Sequence, residues 1–361
     1  MRAFAVAAPG LEGVVAGELA AIPGATEVAP VVGGVELETG APGLYRANLW
    51  LRTATRILVR LGTIEARDFA TLRRRAAELP WERYLERGAG IEPAVTARHC
   101  RLYHSGAVAE RIGLAAADRV GPAGASGDPR AKVVVRGEDD RFTISIDSSG
   151  ELLHRRGWRT EAGEAPLRET LAAALLVLSG YRADEPLWDP TCGAGTLVVE
   201  AAAMATRRAP GIGRPFAFER FPGHDAALLA RLRAEAIAGV VPPAAPIEGS
   251  DADAAVIEAA HRNAERAGLA GAVSFRVAAA EEARFGSRAG LVIANPPYGR
   301  RLRTASDLYR ALGRAARRDG QRLALLSADP NLLRAAGRTH AVISLMNGGM
   351  RVFLALYDAP I

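Results

Sequence analysis

The stretch Pro186-Leu187-Trp188-Asp189-Pro190-Thr191-Cys192-Gly193-Ala194-Gly195-Thr196-Leu197 decides the fold class. It reads as a short apolar strand, a tight glycine-rich loop and the first turn of a helix. Gly193 and Gly195 can turn the chain sharply and let its backbone approach a ligand closely. The loop is neither Gly-x-Gly-x-x-Gly nor a phosphate loop ending in Gly-Lys-Ser/Thr, which argues against a ligand held through a pyrophosphate. Asp189, at the strand end, suits a cationic group instead. The plain alternative is a purely structural strand–helix turn.

One strand further on, Glu248-Gly249-Ser250-Asp251-Ala252-Asp253 ends another apolar run and opens a helix. An acid at that position can accept both hydroxyls of a ribose. Asp251 is expected to take that role and Asp253 to cap the helix. Asp189, the glycine turn and Asp251 together describe a nucleoside ligand without phosphates. S-adenosylmethionine, with its ribose, amino acid and sulfonium, fits that description.

Outward from this stretch the pattern alternates. Helix at 167–178, strand at 186–189, helix at 196–208, strand at 247–251, helix at 254–267, strands at 273–277 and 291–295, helix at 306–318 and strand at 322–327 follow in turn. Two more strands, at 342–346 and 352–357, close the chain. Such alternation predicts an α/β, mostly parallel, doubly wound sheet. The first 150 residues differ: short strands and helices intermix, and Lys132–Arg136 and Arg141–Asp147 flank a turn as a hairpin. A strand at 31–37, a helix at 69–85 broken at Pro80, and a strand at 95–98 are expected there. The boundary is expected near residues 150–165.

A second motif follows the strand at 291–295: Asn295-Pro296-Pro297-Tyr298. Two consecutive prolines hold a rigid turn and offer no backbone donors. The Asn295 side-chain oxygen and the Pro296 carbonyl are left as fixed acceptors. They can accept both hydrogens of a planar exocyclic amine and turn its lone pair toward an electrophilic methyl. Tyr298 offers a face on which a flipped base can stack. Any planar exocyclic amine could be held this way, so the substrate stays open on these residues alone.

The chain has 361 residues, with 49 % hydrophobic and 24 % charged, an ordinary globular composition long enough for two or three domains. Cys100 and Cys192 are the two cysteines, too few for a disulfide framework or a four-cysteine zinc site, and the six histidines show no metal spacing. Cys192 is expected to pack beside the ligand rather than act as a nucleophile, and Cys100 to be a buried small hydrophobe. No apolar run nears the roughly 20 residues needed to span a bilayer. The start of the chain does not read as a signal peptide, so a soluble, cytoplasmic protein is expected. The formal net charge is +6 and Lys132 is the one lysine among 46 basic residues. Between Tyr298 and Arg322 eight arginines are opposed by Asp307 and Asp319 alone. That cluster suggests either a surface for polyanions or a solvated helix face.

These residues carry a family resemblance. Asp189 to Thr196 resembles methyltransferase motif I, and Asn295 to Tyr298 resembles motif IV of the amino-group methyltransferases. The stretch Leu153 to Arg159 followed by Gly163-Glu164-Ala165-Pro166-Leu167-Arg168-Glu169-Thr170 resembles the entry to the catalytic domain in THUMP-domain guanine-N2 RNA methyltransferases. The latter phrase is more similar to the large-subunit rRNA enzymes than to the tRNA ones. The resemblance implies a ferredoxin-like segment at 1–50, a THUMP RNA-binding domain at 51–155 and an S-adenosylmethionine-dependent, class I (Rossmann-like) methyltransferase domain at 156–361. It implies methylation of a guanine N2 in 23S rRNA, with tRNA, adenine N6 or an inactive assembly factor as alternatives. RNA is the implied partner, with no membrane, no metal and no obligate protein partner. Implied catalytic residues are Asn295, Pro296 and Tyr298. Implied cofactor contacts are Leu167, Asp189, Pro190, Cys192, Gly193, Gly195, Thr196, Asp251 and Glu281. Family members usually carry an Asp after the third strand of the domain. Here the matching stretch is Val277-Ala278-Ala279-Ala280-Glu281-Glu282, so that acid is missing or shifted to Glu281. Ending at Ile361, the chain would be a stand-alone form of an enzyme that is often fused to a second methyltransferase.

Overall fold

The computed structural model describes residues 1–124, 130–159, 167–296 and 305–359. Its first half contains β1 (Arg2–Val6), α1 (Glu12–Ala20), β2 (Ala25–Val31), β3 (Gly34–Thr39), α2 (Ala41–Trp50), β4 (Arg56–Glu65), α3 (Phe69–Ala77), β5 (Ile91–Arg98), α4 (Ser105–Val120), β6 (Ala131–Glu138) and β7 (Arg141–Asp147). All seven strands join one sheet in the order β2-β3-β1-β4-β7-β6-β5. The expected ferredoxin-like and THUMP segments therefore share a sheet, joined where β4 pairs with β1 on one side and β7 on the other.

Several local expectations change. The strand expected at 31–37 is a hairpin corner: Val31 pairs with Gly34, and Gly33 sits at φ +85°, which suits a two-residue turn. Strand β5 begins at Ile91, earlier than the sequence suggested, and tolerates Pro93 because it lies at the sheet edge. The helix expected at 69–85 ends at Ala77, and Trp81–Arg83 forms a separate 3₁₀ turn. Helix α2 was not visible in the pattern. It starts on Pro42 in its first turn, and Gly43 lets it lie against Gly24, where a Cβ would come within 2.8 Å of the Gly24 carbonyl oxygen.

The second half contains α5 (Glu169–Leu178), β8 (Leu187–Asp189), α6 (Thr196–Ala205), α7 (Ala226–Ala238), β9 (Ile247–Asp251), α8 (Ala254–Arg266), β10 (Ser274–Val277), β11 (Leu291–Ala294), α9 (Ala305–Arg318), β12 (Arg322–Ser327), α10 (Pro330–Ala336), β13 (Ala341–Asn347) and β14 (Met350–Tyr357). Its sheet runs β10-β9-β8-β11-β12-β14-β13, parallel through β12 and antiparallel thereafter. This is the expected mostly parallel, doubly wound α/β sheet, the class I methyltransferase arrangement. Helices α5 and α6 are apolar on nearly every face, and both are buried between layers. Among the described residues no helix is long and apolar enough to cross a membrane.

The two halves interlock. Residues from 209 to 236, including Phe216, Phe218, Leu228, Leu229 and Leu232, pack into the core of the first sheet, while Leu11 packs into the core around α5 and α6. Buried arginines knit the seam. Arg52 donates to the carbonyls of Ala203 and Arg208, at 3.1 and 2.6 Å. Arg156 pairs with Glu200, both almost wholly buried, and also donates to the Arg52 carbonyl. Arg214 gathers the carbonyls of Ser149, Glu151, Leu152 and Arg155. Burial beside other arginines lowers its pKa to about 10.

Candidate active site

The parallel strands bring the two sequence motifs to one edge. Strand β8 lies between β9 and β11, with Asp189 opposite Gly249, and Val292 opposite Trp188. The loops leaving the carboxyl ends of β8, β9 and β11 are therefore neighbours, which is where open α/β sheets bind ligands.

The glycine loop is held from both sides. Cys192 N donates to Ser250 O at 2.9 Å, and Gly195 N to Cys192 O at 2.9 Å. Gly193 N donates to one carboxylate oxygen of Asp251 at 3.0 Å, and Asp253 N to the other at 3.1 Å. Asp251 thus ties the first loop to the second. Asp253 caps α8 through Ala255 N at 2.8 Å, as expected. Gly193 and Gly195 sit at φ +51° and +83°. A Cβ on Gly193 would enter open space, so the loop has room in front of it. A Cβ on Gly195 would meet Ala260 and Phe275 at 3.1 Å.

Asp189 is 2 % exposed and accepts from Thr191 N at 3.1 Å. Burial, reinforced by the nearby Asp251 charge, pushes its pKa up to about 8. A buried carboxyl of this kind fits a cationic ligand group. Cys192 is buried, with its sulfur against Gly249, where a Cβ would stand 3.0 Å from it. Burial and both aspartates raise its thiol pKa, which suits packing rather than nucleophilic chemistry. Thr196 opens α6 and is buried, Pro190 continues the strand end, and Leu167 is buried in the core that includes Leu171 and Leu197. Glu281 lies exposed in a short 3₁₀ turn at Ala280–Glu282, just after β10. The acid-free stretch before it is tied to the site by its backbone, Ala278 N to Asp251 O at 2.9 Å.

At the end of β11, the Asn295 side-chain oxygen is buried and has no hydrogen-bond partner among the described residues. Pro296 is buried beside it. Tyr298 lies outside the described residues, as do Pro297 and the arginines at 300, 301 and 303.

Several described members of the arginine cluster that follows are paired. Arg310 pairs with Asp307, Arg318 with Asp319 and Arg322 with Glu185, at 2.5, 2.7 and 2.5 Å. Arg317 donates to the Ala336 carbonyl at the end of α10. Among the described members, Arg314 stays exposed with no ion pair. Cys100, expected to be buried, is half-buried, with its thiol on the Arg98 carbonyl. Trp81 is wholly buried in the core of the first sheet. Sequence reasoning missed Asn263. It is wholly buried on α8 and donates to the Ala194 carbonyl of the glycine loop at 3.0 Å. The one available signal was a polar amide between Ala260 and Ala264 on the inner face of an amphipathic helix.

This fold and site define a class I methyltransferase. Residues 156–353 match the UPF0020 family, described as the RMKL-like methyltransferase domain, and residues 2–58 match the RlmL ferredoxin-like domain. The chain belongs to the UPF0020 methyltransferase family. A Synechocystis sp. protein provisionally named an RNA methyltransferase is 33 % identical over 98 % of this chain and 96 % of its own length. The ribosomal RNA large subunit methyltransferase K/L of Methylococcus capsulatus is 36 % identical over 98 % of this chain and 51 % of its own length. The chain thus spans about half the length of the K/L relatives it matches. The solved structure of SMU.472, provisionally a methyltransferase, in complex with S-adenosylhomocysteine superposes with a TM-score of 0.91. It is 30 % identical, covering 100 % of this chain and 98 % of that one.

Proposed function

We propose that this protein methylates the exocyclic N2 amine of a guanine in 23S rRNA, using S-adenosylmethionine, in the cytoplasm. The observation that carries the chemistry is the buried Asn295 oxygen at the end of β11, next to β8, which has no hydrogen-bond partner among the described residues. A buried acceptor left unpaired costs about 1–3 kcal/mol. Two hydrogens of an amine delivered to Asn295 and the Pro296 carbonyl would recover that cost in the substrate complex.

The cofactor supplies an electrophilic methyl group on a sulfonium. Asp189 would face a cationic part of it, Asp251 its ribose, and the backbone of Gly193 and Gly195 its close approach. Leu167, Pro190, Cys192 and Thr196 would complete the wall. Glu281, followed by Glu282, is the first acid after the stretch where an adenine amine would be read. Asn295 and Pro296 orient the amine so that its lone pair leaves conjugation with the ring, and Tyr298 stacks on the base. Alignment of this kind contributes about 7–11 kcal/mol to such transfers. No strong general base is required, since the nitrogen becomes acidic once alkylated.

The substrate class is supported by the name of the Methylococcus relative, and the N-terminal region fits the expectation of RNA recognition by shape and backbone contact. We assign residues 51–155 to a THUMP domain that makes this contact. The test is methylation of unmodified 23S rRNA and bulk tRNA with labelled S-adenosylmethionine, followed by nucleoside mass spectrometry. N2-methylguanosine in rRNA, lost in Asn295→Ala while S-adenosylhomocysteine still binds, is expected. Methylguanosine in tRNA alone would overturn the substrate, and methyladenosine would overturn the base. No transfer to either RNA would favour an inactive assembly factor.

A further inference from the structure

We infer that Asn263 is a positioning residue that sets the cofactor affinity of the glycine loop, and that Arg266 holds its amide in the working orientation. The inference rests on the reading that this loop binds S-adenosylmethionine.

Asn263 lies on α8, wholly buried, facing the loop between β8 and α6. Its amide nitrogen donates to Ala194 O at 3.0 Å. Its amide oxygen accepts from Arg266 Nη2 at 2.8 Å, and Arg266 Nε donates to Trp158 O at 3.0 Å. Ala194 lies between the two glycines at positive φ. Its peptide plane therefore fixes which way the Gly195 N–H and the loop's open side point. Other polar ties hold the loop from its β9 side, Cys192 N to Ser250 O and Gly193 N to the Asp251 carboxylate, and from within the β8 loop, Thr191 N to the Asp189 carboxylate and Gly195 N to Cys192 O. Asn263 is the tie from the α8 side. On that side Ala260 also closes on Gly195, at 3.1 Å from where its Cβ would lie.

An amide is needed here because one side chain must donate to a carbonyl and accept from a guanidinium. The Arg266 bond selects between the two amide orientations: a flipped amide would set its NH₂ against a cation and its oxygen against the Ala194 carbonyl. The relay begins at Trp158, in the segment that leads from the first sheet into the methyltransferase domain. The loop is thus braced against the chain entering its own domain.

The experiment measures S-adenosylhomocysteine affinity by calorimetry, melting temperature without ligand, and KM for each substrate. The variants are Asn263→Asp, Asn263→Ala and Arg266→Gln in the full chain. Asn263→Asp keeps the shape and the Arg266 bond but cannot donate to Ala194. It is expected to weaken S-adenosylhomocysteine about tenfold and raise KM for the methyl donor, with KM for RNA unchanged. Asn263→Ala should behave alike. Arg266→Gln should give a smaller loss, about threefold, and it carries the test if the Asn263 variants do not fold. Lowered melting temperature with unchanged ligand affinity in all folded variants would overturn the inference and leave Asn263 a structural residue. Failure of the unaltered protein to bind S-adenosylhomocysteine would instead overturn the reading of the loop on which the inference rests, and with it the inference.

Discussion

Cofactor binding should depend on pH through Asp189. In the ligand-free protein its carboxyl is buried and titrates near 8 rather than near the ordinary 3.8. At pH 7 such a group is only about one-tenth ionised, and at pH 8.5 about three-quarters. A ligand group of fixed positive charge, such as a sulfonium, that requires the carboxylate should therefore bind about eightfold more tightly at pH 8.5 than at pH 7, whereas an α-amino group, itself titrating near 8, would offset most of that gain. The fixed charge should release close to one proton on binding at pH 7. The sign for stability is opposite. Between about pH 4 and pH 8 the folded protein keeps a proton that the unfolded chain has released, so this group's contribution to ligand-free stability falls as pH rises across that window. Calorimetry with S-adenosylmethionine from pH 6 to 8.5, in two buffers of different ionisation enthalpy, reads both affinity and proton release. Asp189→Asn removes the titrating group and should flatten the profile. Equal affinity at pH 6.5 and 8.5 with no proton released would refute the assignment of Asp189 to a cationic ligand group.

Three further outcomes follow from the packing. Gly195→Ala places a side chain at φ +83° and against Ala260 and Phe275, which should cost about 1–2 kcal/mol in strain alone and abolish S-adenosylhomocysteine binding by calorimetry. Arg156→Met should lower stability by about 3–5 kcal/mol in chemical denaturation, because it leaves Glu200 buried without its cation at the seam between the two sheets. Gly313→Ala should destabilise by about 1–3 kcal/mol or more without changing cofactor affinity, since its Cβ would overlap the Ala336 carbonyl where α9 crosses α10. An unchanged melting temperature in that variant would show that the two helices can separate freely.

The order of elements in the second half was legible because buried parallel strands and amphipathic helices write different periods into the chain. The strand–glycine–helix unit at Asp189–Thr196 was legible because glycine takes up the positive φ that a sharp strand-to-helix loop needs, as Gly193 and Gly195 do. Helix α2 and the 209–238 segment were not. They are fixed by what they pack against: Gly43 against Gly24, and Phe216, Phe218 and Leu229 in the core of a sheet more than sixty residues earlier in the chain. The arginine run after Tyr298 shows the same limit. Counting charges gives a basic patch, whereas Glu185, distant in sequence, neutralises Arg322 in space.

The sequence by itself determined the class of the methyltransferase domain, because that depends on short-range backbone chemistry and hydrophobic period. Only the tertiary structure decided that Asp251 and Asn263 clasp the glycine loop from opposite sides, and that Asp189 is buried enough to hold its proton near neutral pH. Both depend on distances between segments and on the exclusion of water, and neither quantity is written in the order of the residues.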